Sequence, residues 1–513
     1  MTATRATGPR LSGGAVARAV ADLVSDPTGG LPASVYETAR LVALAPWLVG
    51  HAERVDFLLR DQAPDGTWAG PGPFALVPTL SAVEALLAAE ADRGAVDRGL
   101  AAAERLLADV PGTGLPATLI PGMIVPALVL DVNARLGHDR LRLPDGLSPD
   151  ALVALRDDGW RNPVSAFYLE IVGPRAVGSP HVRPVDGVVG CSAAATAAWL
   201  GPEPPGQERA ESVRFLERTQ AGLGGPVPGL TSMTWFERGL LHSALIDSGV
   251  DPAEAAPLLT GLPLDVGERG APAAPGFAHD SETAAILLLA ESDATGSTPA
   301  PDSLWEYDRG THFLTTVPVG APSVITNARI LRALRRRLAQ NPPDAARCAD
   351  AADRITDWLL AEQNADGHWT DRWHQSPLYA TQACLQALAE PGRAATSRTR
   401  DADVAEARAA ALRLLLSTQR PDGSWGVWGG TVEETALALL ALPRAPRGAE
   451  QVRAVAEGRA FLLDRGAGGP HPALWTGKDL YAPVNLIRGF AAAALARHPD
   501  PDGGRAPAGE PGR

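Results

Sequence analysis

Lysine is almost missing from these 513 residues: of 46 basic side chains, only Lys478 is a lysine. Arginine and lysine differ in shape, hydration and donor geometry. The survivor therefore marks a place where a compact ammonium is wanted, against the plain alternative that one lysine escaped a drift toward arginine. Cysteine is scarce too. Cys191, Cys348 and Cys384 are scattered and form no CxxC pair, which excludes a disulfide framework and fits a reducing cytoplasm, the expected location. No apolar run approaches the roughly 20 residues of a membrane-spanning helix. The stretch Met1 to Val20 lacks an apolar run followed by a cleavage site, so no secretory signal is read there. There is no basic cluster, and the net charge is −13, which excludes an ordinary nucleic-acid binder. Aromatic residues make up only 5%, so a large aromatic cage is not a given.

What is present is length and repetition. A chain of 513 residues with 45% hydrophobic residues is too long for one ordinary core, and two domains are expected. Three segments share one pattern: Gln62, Asp65, Gly66 and Trp68; Gln363, Asp366, Gly367 and Trp369; Gln419, Asp422, Gly423 and Trp425. A degenerate copy carries Gln220 with Gly224 and Gly225. Each apolar helix ends near the Gln, and Asp-Gly makes a tight turn in which Gly supplies the positive φ. A new helix follows: Leu76, Leu80, Val83 and Leu87 after the first copy, and Val432, Ala436, Leu439 and Leu440 after the third, keep helical spacing. The Gln amide can bond backbone groups freed at the turn, and the Trp can stack over it. These Gln and Trp residues read as staples between helices, with no part in chemistry.

Helix pairs joined by this turn resemble the (α/α) barrels of squalene–hopene cyclases and class II diterpene cyclases, whose repeat is called the QW motif. Other segments resemble the bacterial diterpene cyclases in particular: Gly122–Leu128, Val189–Leu200, Ser323–Leu331, Asp371–Thr381 and Leu474–Pro483. The resemblance covers most of the chain. It implies an all-α fold of two (α/α) barrels: residues 1–19 as a helix completing the second barrel, 20–205 as the first (γ) barrel, 206–498 as the second (β) barrel, and 499–513 as a disordered tail. The Arg-, Ser- and Asp-rich stretch from Glu390 to Glu406 reads as a surface loop.

The family protonates an alkene. An alkene is a very weak base, so the acid must be a neutral carboxyl in a dry pocket with partners that take up the charge left behind. The family pattern is Asp-x-Asp-Asp followed by Thr-Ala at the start of an apolar helix. Here Thr283 and Ala284 fit, and the acids depart: the segment is His279-Asp280-Ser281-Glu282. Aligned without a gap, His279 replaces the first Asp, Ser281 the acid and Glu282 the last Asp. Shifted by one, Asp280 and Glu282 take the first and acid positions, as in the variant pattern of drimenyl diphosphate synthases. Glu282 is a carboxylate in both registers and is the expected acid, with Asp280 or His279 as its partner. The same residues also read as a plain helix N-cap, with Glu282 in the first turn beside the positive end of the helix dipole.

The resemblance implies cyclisation of geranylgeranyl diphosphate to a labdane-type bicycle that keeps the diphosphate. No DDxxD or NSE-like motif for ionising it is present. The alternatives are farnesyl diphosphate giving a drimane-type product, and a prenyl-binding protein with decayed acid machinery. A protein prenyltransferase subunit would need an Asp/Cys/His zinc site, for which the three cysteines have no setting. Trp373 and Tyr379 are candidates for facing a carbocation with their rings, and His374 or a water held by Asn327 for removing the last proton. Each of these residues reads equally as core packing or a cap. Lys478 and Arg488 are candidates for the diphosphate, with Mg2+ as the expected cofactor and no specific metal motif. A greasy substrate leaves room for peripheral membrane contact and for a homodimer.

Overall fold

The computed structural model describes residues 14–499 apart from 27, 232, 265, 267–269, 318–320, 391–397, 446 and 467–470, and apart from the side chains of 163, 398 and 399. Residues 1–13 and 500–513, on which part of the expected N-terminal helix and nearly all of the expected tail fall, lie outside the described residues.

The described chain is mostly helical, with two minimal antiparallel strand pairs, 271–272 with 279–280 and 475–476 with 480–481. Two helical rings organise it. In the first, the inner elements are the helices Val35–Leu44, Leu76–Ala88, Pro121–Leu136 and Ala193–Leu200, closed by the 3-10 segment Pro163–Ile171. In the second, six inner helices touch in a closed circle: Thr234–Asp247, Ser281–Thr295, Val324–Leu338, Pro377–Ala389, Val432–Ala441 and Val484–Arg497. Inner helices are buried almost all round, as Leu76–Ala88 shows with eleven buried residues of thirteen. Outer helices such as Ala345–Ala361 bury only one stripe, which is the pattern of a helix exposed on one side. The helix Ala15–Ser25 lies on the outside of the second ring, against Val484–Arg497.

The repeats are the joints between outer and inner helices. Gln62 Nε2 donates to Gly66 O (3.3 Å) and to Ala95 O at the start of the next outer helix (2.9 Å). Gln363 does the same to Gly367 O (2.8 Å) and Ala407 O (2.9 Å), and Gln419 to Gly423 O (3.0 Å) and Ala454 O (2.9 Å). The Trp side chains are buried. Their indole N–H groups cap last-turn carbonyls of the preceding helix, at Leu58, Leu359 and Leu415 (2.6–2.7 Å), where a helix leaves its acceptors unmet. Gly367 sits at φ 103, and a Cβ there would come within 2.8 Å of Ala410 backbone, so the turn admits only glycine.

One expectation fails. The Glu390–Glu406 stretch is not a loop throughout, because a helix already runs from Arg398 to Ser417. Arg400 binds Asp353 and Asp357 of the neighbouring outer helix at 2.8–2.9 Å. These charges, which read as solvated in one dimension, lie along a contact between two helices.

Candidate active site

An apolar cavity of about 660 Å³ lies between the rings. The first ring contributes Leu119, Ile120, Met123, Phe167 and Tyr168, and the second Phe236, Phe277, Trp373, Trp475 and Tyr481. Two carboxyls face it, Asp280 and Glu282, and both are buried. The short strand 279–280 runs straight into the Ser281–Thr295 helix, and this junction sorts the acid segment. His279 is exposed, with Nδ1 against Gly270 O (2.8 Å). Ser281 turns to the back wall and donates to Leu314 O (2.7 Å). Neither lines the cavity.

Asp280 is the N-cap of that helix. Its carboxyl accepts from Thr283 N (2.6 Å) and Thr283 Oγ1 (2.9 Å). Burial pushes its pKa up to about 7, offset in part by the Thr283 hydrogen bonds and reinforced by the charge of Glu282. No cation is paired with it among the described residues. Glu282 is placed differently. Its Oε1 accepts from Arg329 Nε (2.8 Å) and its Oε2 from Thr326 Oγ1 (3.1 Å). Arg329 also donates to Tyr379 OH (2.6 Å). Burial raises the Glu282 pKa while Arg329 opposes the rise.

The remaining sequence candidates divide. Trp373 lines the cavity. Tyr379 does not; it stands behind the wall as the partner of Arg329. Asn327 is not positioned to hold a water for deprotonation. Its side chain is spent on backbone, accepting from Phe313 N (2.8 Å) and donating to Phe313 O and Ser323 O (2.9 Å each). His374 is buried behind the wall, against Glu433 (3.1 Å). Lys478 is not at the cavity but fully buried, between Glu37 (2.7 Å) and Glu170 (2.8 Å) of the first ring. With both carboxylates already on the ammonium, it is not available to a diphosphate. Arg488, half-buried on the last inner helix, is not among the lining residues either.

The residue that sequence reasoning passed over is Arg372. It is exposed and also lines the cavity, the only arginine or lysine among the described lining residues. Its guanidinium lies 4.9 Å from the Trp373 ring centre. It sits beside a tryptophan already singled out, and only its position at the mouth distinguishes it from the 44 other arginines, 46 basic residues less Lys478 and Arg372 itself. Glu433, discussed below, was missed as well. Among the described residues no group of three or more His, Cys, Asp or Glu could hold a metal ion, and no helix is long and apolar enough to cross a membrane.

Comparison with known proteins agrees with this architecture. The sequence model of the squalene–hopene cyclase C-terminal domain matches residues 318–465. An ent-copalyl diphosphate synthase of Streptomyces sp. (strain KO-3988) is 42% identical over 93% of this chain and 94% of its own length. A labda-7,13-dienyl diphosphate synthase of Streptomyces clavuligerus is 34% identical, covering 95% and 93%. The solved ent-copalyl diphosphate synthase of Streptomyces platensis superposes with a TM-score of 0.84 at 37% identity, covering 94% of this chain and 98% of that one. Two closed helical rings, an acid-bearing helix at an apolar cavity and relatives matched along nearly the whole length lead to one assignment: the chain belongs to the bacterial class II diterpene cyclases.

Proposed function

We propose that this enzyme protonates the terminal alkene of geranylgeranyl diphosphate with Asp280 and releases a labdane-type bicyclic diphosphate of the copalyl kind. The observation that carries the reading is Asp280 itself: a carboxyl with a pKa near 7, unpaired with any cation among the described residues, at a helix N-terminus in the wall of an apolar cavity. Burial holds the proton on up to about pH 7. When it leaves, the new carboxylate is met at once by the Thr283 N–H, the Thr283 hydroxyl and the positive end of the helix. That preorganised welcome makes a carboxyl a stronger acid at the moment of transfer. Glu282, ion-paired to Arg329, suits a fixed negative charge that helps keep Asp280 protonated. The acid thus moves from Glu282, favoured by sequence, to Asp280.

The proton adds to the CH carbon of the terminal alkene, leaving a tertiary cation on the dimethyl-bearing carbon. The tertiary cation is captured by the next two alkenes in turn, closing two rings. Loss of a proton from a neighbouring carbon restores a double bond, and the diphosphate C–O bond is untouched. The substrate's orientation follows from charge: Arg372 at the exposed mouth meets the diphosphate, and the prenyl chain runs inward. The volume falls in the class that buries a whole small molecule. Mg2+ would enter with the diphosphate and neutralise its charge, since no group of three or more His, Cys, Asp or Glu is gathered to hold a metal ion among the described residues.

Incubation with geranylgeranyl and, separately, farnesyl diphosphate, followed by dephosphorylation and gas chromatography–mass spectrometry, tests the proposal. A bicyclic C20 alcohol, lost in Asp280→Asn, is the expected result. A cyclic product from the C15 substrate alone would shift the assignment to a drimane-type reaction. Linear alcohols from both would leave a prenyl-binding role.

A further inference from the structure

Trp475 is the hub of the aromatic wall. Its ring centre lies 4.9 Å from Tyr379, 5.2 Å from His374, and 6.2 Å from both Phe236 and Tyr481. It lines the cavity, and its indole N–H points away from the cavity into a buried carboxylate: Nε1 donates to Glu433 Oε1 at 2.6 Å. The same oxygen faces His374 Nε2 at 3.1 Å. On the ring's other side, Nδ1 lies 3.0 Å from Ser376 N and 3.3 Å from Ser376 O. Two ring nitrogens therefore converge on one carboxyl oxygen. Glu433 also stands in the first turn of its helix, Val432–Ala441, where the dipole favours a negative charge.

What sets Glu433 apart is that no arginine or lysine is paired with it among the described residues. Glu282 has Arg329, and Glu37 and Glu170 share Lys478. Glu433 has a side-chain exposure of 1%, yet among the described residues its Oε1 is met only by the ring nitrogens of Trp475 and His374, and its Oε2 has no partner. The neighbouring Glu434 faces the third-repeat turn instead, accepting from Val427 N and Thr431 Oγ1 (3.0 Å each). Burying a carboxyl group without an arginine or lysine costs stability, and such a cost is commonly retained where function uses the group. Arg329, buried behind the same wall, is paired with Glu282. Glu433 thus stands directly behind the Trp475 ring of the cavity wall, in a medium where charges act at long range.

We propose that Glu433 is a positioning residue whose carboxylate, through its hydrogen bond to Trp475, fixes that ring and deepens its negative face for the carbocations of the cyclisation. An N–H bound to an anion returns electron density to the indole, and the anion adds its own field in the same direction. Ring faces attract cations through their negative quadrupole. The inference rests on the cyclase reading above.

The test separates charge from shape. Glu433→Gln keeps the acceptor oxygen and the size and removes the charge. Two geranylgeranyl diphosphate analogues are titrated into parent and variant by calorimetry: one with a protonated nitrogen in place of the carbon that first becomes positive, and its neutral isostere. The expected result is a roughly 10-fold weaker ammonium analogue with the neutral one unchanged, since the neutral ligand reports only shape. Equal affinities in parent and variant, or equal losses for both analogues, would overturn the proposal. If Glu433→Gln does not fold, 3-benzothienylalanine incorporated in place of Trp475 keeps the ring size and removes the N–H donor, with the same expected and overturning results. Cyclisation by the parent protein is run alongside. If the parent leaves both substrates linear, the cyclase reading itself has failed, and the inference falls with it for that separate reason.

Discussion

Glu37, Glu170 and Asp479 meet at the inner helices of the first barrel, as deeply buried as Asp280 and Glu282 in the second. The two groups are made of the same side chains and have opposite fates. In the first, Lys478 enters on the turn between the strands 475–476 and 480–481 and lies against both glutamates, with Ser192 (2.8 Å) as a third partner. Tyr36 OH donates to Glu170 (2.8 Å). Burial still lifts Glu37 to about 7 even against the Lys478 charge. In the second, Asp280 shares the raised value but has only neutral donors and a cavity in front of it. A high pKa therefore does not identify an acid. The distinguishing features are an open face toward the substrate and partners that favour the base only after the proton has gone.

The contrast can be broken most forcefully at Asp280. Asp280→Asn is expected to lower kcat by about 10²–10⁴-fold, the usual weight of a general acid, with far-ultraviolet circular dichroism unchanged. An equal loss in Lys478→Met would erase the distinction. Lys478→Met is instead expected to cost about 3–5 kcal/mol of stability, because it strands two buried carboxylates. A denaturant titration reads the loss, and turnover per folded molecule should stay far above that of Asp280→Asn. Arg372→Ala should raise KM for the diphosphate substrate roughly 10- to 100-fold, the scale of a charge-assisted hydrogen bond, with a smaller change in kcat.

The pH dependence sharpens the contrast further. The folded Asp280 pKa, about 7, exceeds the ordinary aspartate value of 3.8. The folded state holds this proton more tightly, so its contribution to stability falls as pH rises from about 4 to about 7 and is lowest above that. Asp280→Asn should therefore be more stable than the parent at pH 8, on the order of 2 kcal/mol, and nearly equal to it at pH 4. Parent activity should fall above pH 7 as the acid form is lost. The smallest effect belongs to the joints. Gln363→Ala removes two amide bonds to backbone and should cost about 1–2 kcal/mol, measured by thermal unfolding, without altering the product profile.

How legible all this was depended on distance along the chain. The joints were readable because Gln, Gly and Trp act within about ten residues of one another. Even there, the partner of the indole, a carbonyl ten residues back at Leu58, Leu359 or Leu415, lay outside the motif. The acid segment was readable as a place but not as roles: strand pairing with 271–272 decides which of four consecutive side chains face the cavity, and that partner is invisible in one dimension. Lys478 drew attention rightly and for the wrong chemistry. Its partners lie 441 and 308 positions away, as 478 less 37 and 478 less 170 show, and rarity alone cannot tell a buried lock from a ligand hand. Glu433 gave only the ordinary sign of an acidic residue in a first helical turn.

The closure of the second ring has a further consequence, in the order of assembly. The helix Val484–Arg497 completes the circle by joining Thr234–Asp247 to Val432–Ala441, and it carries Ala15–Ser25 on its back. During synthesis, Ala15–Ser25 must wait for the much later Val484–Arg497 before either finds its place. Contacts of such long sequence separation form slowly. A nascent chain can build its outer–inner hairpins one by one, but the reaction chamber comes into being only when Val484–Arg497 has left the ribosome.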